Sequence, residues 1–141
     1  MRISAKAEYA CVAMLDLAAN YAGPQPVRVK AIADAHGISQ RFLVQILLQL
    51  KSKGLVTSVR GASGGYQLTR PPDNISLWDI IQAIEDRTLT PRSALDHVKA
   101  VDVLLGVWRE IHAEEQRMLE KLTLAELVRR RERGNALSYQ I

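Results

Sequence analysis

One heptapeptide near the middle of the chain, Arg60-Gly61-Ala62-Ser63-Gly64-Gly65-Tyr66, limits its fold more than any other segment. Glycine reaches backbone conformations closed to other residues, so this is a tight turn or a close approach of main chain to a ligand. A phosphate cradle of the P-loop kind would end in Lys-Ser/Thr and open a helix. Here the glycines lead into Tyr66-Gln67-Leu68-Thr69, which alternates as a strand does. With Val56–Arg60 as the partner strand, the segment reads as a hairpin led by an arginine.

The residues before the hairpin give it a context. Val29 to His36 has the length of a short helix, with Ile32 and Ala33 inward and Gly37 placed to stop it in the left-handed conformation. Ser39 then caps a helix whose buried stripe is Phe42, Leu43, Ile46, Leu47 and Leu50, ending at Lys51-Ser52-Lys53-Gly54. The order helix, turn, helix, hairpin is that of a winged helix-turn-helix. In that arrangement the second helix enters the major groove, and the wing lays an arginine on the backbone or in the minor groove. Removing the apolar stripe leaves Gln40, Arg41, Val44, Gln45, Gln49 and Lys51 on the outer face. Glutamine and arginine pair bidentately with adenine and guanine edges, so this face suits base reading; a merely solvated helix face is the plainer alternative. A first helix from Ser4 to Asn20 precedes the unit, with Ala7, Ala10, Cys11, Met14, Leu15 and Ala18 at helical spacing and Gly23-Pro24-Gln25-Pro26 ending it.

Charge follows the same division. Residues 1–72 carry nine Lys/Arg and three acids, while residues 73–141 carry ten bases and twelve acids, so the net +4 of the 141-residue chain lies in its first half. A basic half is the electrostatic footprint expected of a phosphate-binding surface. The remaining composition is that of a soluble globule, with no apolar run near the roughly 18 residues of a membrane span. The start Met1-Arg2-Ile3-Ser4 has no signal-like apolar core, which leads us to expect a cytoplasmic protein. One cysteine excludes a disulfide framework within the chain. No nucleophile stands with a base, and no nucleotide fingerprint is present, so an enzyme is not expected.

Beyond the wing, Arg70-Pro71-Pro72-Asp73-Asn74 forms a stiff exit, and Ser76-Leu77-Trp78-Asp79 resembles a capping box opening a helix that packs Leu77, Ile80, Ile81 and Ile84. After a polar break, a long helix is expected from about Ser93 to Leu122. Val98, Val101, Leu105, Trp108, Ile111, Met118 and Leu122 would line one side of it. Thr123-Leu124-Ala125-Glu126 is a second capping box, opening a short helix, and Arg129-Arg130-Arg131-Glu132-Arg133-Gly134 reads as a frayed basic tail. The chain thus divides into a DNA-binding unit over residues 1–84 and a loop, long helix and short helix over residues 85–141. The long apolar stripe exceeds what so small a core needs, and a second copy of the chain would cover it. Such a homodimer would match a palindromic operator with half-sites roughly 34 Å apart or a multiple of that.

These segments together resemble the bacterial winged-helix regulators typified by IscR, NsrR and CymR, the Rrf2 family. The likeness runs through Met1-Arg2-Ile3-Ser4, Glu8-Tyr9-Ala10, Ile32-Ala33, Gly37-Ile38-Ser39, Phe42 to Leu47, Lys53-Gly54-Leu55-Val56, the wing, Ile75-Ser76, Asp79-Ile80-Ile81, Trp108 and Leu122 to Leu127. The resemblance implies a mainly α fold with a small β wing, acting as a dimeric transcription regulator, often a repressor. It puts Ser39, Gln40, Arg41, Phe42 and Gln45 on the reading helix. Arg60, Gly61, Ser63, Gly64 and Tyr66 fall on the wing, with Arg2 and Ser4 near a phosphate.

Two departures stand out. Where many members carry an acid between Leu43 and Gln45, this chain has Val44, which can only pack, for instance on a thymine methyl. Many relatives also hold an iron–sulfur cluster through three cysteines ahead of the long helix. The corresponding positions here fall near Ser93, Asp96 and Asp102, and Asp, Ser and His97 alone are a poor ligand set for a cluster. We therefore expect no cofactor and no bound metal. The alternatives are a redox or iron–sulfur regulator whose ligands are replaced, or a regulator working mainly through a protein partner. Any small-molecule or protein effector is left open. Cys11 reads as a packed thiol, His97 and His112 as solvated side chains too far apart to share a metal, and Glu8 as a surface charge.

Overall fold

The computed structural model describes residues 2–62, 64–85 and 99–139, the backbone alone at 99, 100 and 136–139. Ser63 and Val98, expected in the wing and in the long stripe, lie outside the described residues, as do Ser93, Asp96 and His97.

Helix α1 spans Ala5–Ala19, and the Ser4 hydroxyl accepts from the Ala7 N–H at 3.1 Å to cap it. Helix α2 spans Val29–His36 and ends at Gly37, whose φ of 64° is the left-handed conformation expected there. Helix α3 spans Gln40–Ser52, capped by Ser39 through the Phe42 N–H. Strands β1 (Val56–Val59) and β2 (Gly65–Leu68) pair antiparallel, Val56 opposite Leu68 and Val59 opposite Gly65. Val27, ahead of α2, joins the outer edge of β2 by exchanging two main-chain hydrogen bonds with Tyr66. The wing is thereby stitched to the helix-turn-helix it serves.

A 3-10 turn at Pro72–Asn74 leads to α4, Leu77–Ile84, which opens with the full reciprocal capping box of Ser76 and Asp79. Helix α5 spans Lys99–Lys121 and α6 Leu124–Tyr139. The core gathers Met14 and Leu17 from α1, Ile32 from α2, Leu43, Ile46, Leu47 and Leu50 from α3, and Ile75 and Ile80 around α4. Leu124 at the start of α6 is fully buried in this same core, and its N–H donates to the Ile75 carbonyl at 2.9 Å.

The C-terminal half differs from the sequence expectation in two respects. The stripe expected on α5 is covered only in part: Val101 is buried within the fold and Leu105 and Leu122 are half-buried, whereas Trp108, Ile111 and Met118 stay exposed beside Leu104 and Val107. The basic tail is not frayed, because residues 129–134 continue α6. Thr123 does cap the Glu126 N–H. The Glu126 carboxylate accepts from Arg129, Arg130 and Arg133 on the following turns, which pull its carboxyl below the usual range. Arg131 reaches across to Asp16 of α1 at 3.3 Å.

Candidate nucleic-acid interface

The outward face of α3 carries Gln40, Arg41 and Gln45 exposed, with Val44 half-buried beside them. Gln49 does not belong to this face. Its amide nitrogen donates to the Ala83 and Ile84 carbonyls at 3.1 and 3.3 Å, and its oxygen accepts from the Lys6 ammonium at 2.6 Å. Those carbonyls end α4 and have no partner within that helix, so the glutamine serves as a cap donated by a neighbouring element. Lys51, though exposed, is likewise engaged, donating to the Ser58 hydroxyl of β1 at 2.7 Å. Phe42 is half-buried and meets Tyr9 edge-on, ring centroids 5.8 Å apart, so its ring braces α3 against α1.

In the wing, Arg60 and Gly61 are exposed, and Gly61 turns the chain with a φ of 107°. A Cβ on Gly64 would lie 2.3 Å from the Val59 carbonyl oxygen, and one on Gly65 would lie 2.3 Å from that of Val27. Both glycines are therefore steric requirements of the hairpin and of its stitch to Val27. Tyr66 is half-buried against the core, leaving its main chain to hold the sheet together.

Arg28, at the start of α2, donates from its guanidinium to the Ala62 carbonyl at the wing tip. Sequence reading missed this residue. Its position before a helix signals nothing by itself, and only the Val27 bridge brings the wing within its reach. Arg28 thus adds a second exposed guanidinium beside Arg60. Arg2 is also exposed, whereas the Ser4 hydroxyl caps α1 and the Ser4 N–H donates to Glu85 at 2.8 Å.

The donor set does not fit a cysteine-held cluster. The whole chain has one cysteine, Cys11, and its side chain is half-buried in α1. Burial first, and then the nearby Glu8 and Glu85 carboxylates, push this thiol up to about 11. Among the described residues no three His, Cys, Asp or Glu side chains are grouped to hold a metal, and no helix is long and apolar enough to cross a membrane.

A stitched basic wing behind a helix-turn-helix with an open polar face defines the winged-helix class of transcription regulators. The chain belongs to the Rrf2 family, whose model, described as an iron-dependent transcriptional regulator, matches residues 3–130. It is 40% identical over 131 residues to an HTH-type transcriptional regulator of Mycobacterium tuberculosis, covering 90% of this chain and 81% of that one. It is 35% identical over 136 residues to IscR of Escherichia coli, covering 94% of this chain and 83% of the relative. Among solved structures it is similar to CymR, the global cysteine regulator of B. subtilis, with a TM-score of 0.79, 33% identity, and coverage of 91% of this chain and 96% of that one. IscR of T. potens gives a TM-score of 0.77 at 35% identity, covering 95% of this chain and 90% of the other. These relatives are transcriptional regulators, not enzymes.

Proposed function

We propose that the chain is a sequence-specific, homodimeric repressor that works in the cytoplasm, reads a palindromic operator through α3, and holds the flanking backbone through the wing. The observation that carries this reading is the open face of Arg41 and Gln45 on α3, set beside a wing that Val27 and Arg28 pin in place. Bidentate side chains on a rigid helix supply base reading, and exposed guanidinium groups on and beside a pinned wing supply phosphate affinity. The dimer reading rests on α5, where Leu104, Val107, Trp108, Ile111 and Met118 remain 41–68% exposed, an apolar row that a second copy would cover. Repression follows from a dimer occupying DNA that a polymerase must cross.

We further propose that this member carries no iron–sulfur cluster, although its family is described as iron-dependent. One half-buried thiol and scattered carboxylates support that reading. Selection of bound sequences from random duplexes, followed by mobility shifts over a range of salt, tests the regulator. A palindromic consensus is expected, with affinity falling steeply as salt rises. Anaerobic reconstitution with iron and sulfide tests the cluster; a colourless protein without stoichiometric iron is expected, and visible charge-transfer bands would refute it.

A further inference from the structure

We propose that Leu48, with Val44 beside it, reads thymine methyl groups in the major groove, an inference that rests on α3 being the helix that enters the groove. Leu48 is 52% exposed, while Leu43, Ile46, Leu47 and Leu50 of the same helix are fully buried. At about 100° per residue, Leu48, Arg41 and Gln45 each lie roughly 150° or more from the centre of that buried stripe. Leu48 is therefore in the middle of the outward face, among the residues suited to bases, and not at its margin. The neighbouring elements do not claim it: Gln49 takes the contacts to α4, and Lys51 takes those to the wing.

A single exposed leucine on an ordinary surface needs no explanation. This one follows Gln45 by three residues, on the row that would face base edges. Leucine can neither donate nor accept a hydrogen bond, and the apolar group that base edges offer in the major groove is the thymine C5-methyl. Val44 is half-buried one turn earlier and can flank the same methyl or the next one along. The row then reads an A·T-containing half-site, with Gln45 on an adenine edge and Leu48 on a thymine methyl close by.

The test uses the full chain and the duplex it selects from a random pool. The consensus is resynthesised with deoxyuridine replacing each thymine in turn, which removes one methyl and leaves the pairing intact. Wild-type affinity should fall about fourfold per methyl at one or two positions in each half-site, the loss expected for one buried methyl group. Leu48→Ala should bind the thymine and uracil duplexes alike while keeping its dependence on Gln45. A consensus without thymine in the half-site, equal wild-type affinity for both duplexes, or a full thymine–uracil difference retained in Leu48→Ala would each overturn the proposal. Loss of self-association in Leu48→Ala by sedimentation would also overturn it, assigning Leu48 to a second copy instead. Should Gln45→Ala still lose affinity for the operator and not for random DNA in any of these cases, only the role of Leu48 fails; should it lose neither or both alike, the placement of α3 fails with it.

Discussion

The side-chain amide of Gln49 donates to the main-chain carbonyl of Ala83 at 3.1 Å, joining α3, the helix proposed to read DNA, to the end of α4. Gln45 lies four residues earlier and has no such tie to α4. The two glutamines should therefore respond oppositely to substitution. Gln49→Ala removes the amide that donates to the Ala83 and Ile84 carbonyls and should cost about 1–3 kcal/mol of folding stability. The ratio of operator to random-DNA affinity should not change. Gln45→Ala should leave the melting temperature in place and cost about 1–3 kcal/mol on the operator alone. Denaturant titration beside mobility shifts checks both, and equal loss of stability in the two variants would contradict the assignment.

Arg60→Ala should weaken binding to operator and random duplex by similar factors and lower the salt slope by about one, because a phosphate or minor-groove contact carries little sequence information. Arg28→Ala should also weaken both, with an added signature: loss of the tie to Ala62 should raise hydrogen exchange at the Gly64 amide, which now donates to Gly61 at 3.0 Å. Unchanged exchange there would argue that Arg28 does not hold the wing.

Trp108→Asp should abolish self-association without unfolding the chain. Trp108 is 45% exposed, so a charge there is tolerated in one copy and becomes costly only when a second copy desolvates it, by roughly 3 kcal/mol or more. Sedimentation and circular dichroism on the same sample separate the two effects. A wild-type protein that is monomeric at micromolar concentration would remove the basis for the prediction.

Cys11 should be nearly inert to iodoacetamide in the native protein at neutral pH and should react fully in denaturant. Its folded value of about 11 lies above the 9.0 of a free thiol, so folding favours the neutral form. That contribution to stability is complete below about pH 9 and is lost as pH rises from there towards 11. Rapid native alkylation at pH 7 would point to an accessible thiolate and reopen a redox role.

Local signals in the chain identified the helix-turn-helix and the wing. Ser4, Ser39, Ser76 and Gly37 each mark a helix boundary by their own chemistry, and the glycines after Arg60 mark the wing; all appear where such signals place them. Contacts between elements were less legible. Subtracting a buried stripe from α3 cannot show that α4 ends beside Gln49, or that β1 offers Ser58 to Lys51. On α5, helical spacing groups Val101, Trp108, Ile111 and Met118 on one side, but it cannot show that the fold covers Val101 and leaves the others exposed. The run from Arg129 to Arg133 looked like a frayed tail because like charges repel. Glu126 and Asp16 offset them, one from the preceding turn and the other from a helix more than a hundred residues away.

Leu124 gives the division of labour between the two halves a practical limit. Its side chain fills the core beneath α4, its main chain is bonded to Ile75, and Arg131 one face further along α6 grips Asp16, which also holds His36 at the end of α2 at 2.7 Å. A fragment ending at residue 84 would keep every residue suited to contact DNA and lose the keystone of the core beneath them. Anyone grafting the helix-turn-helix and wing onto a dimerisation module would have to transplant α6 along with them.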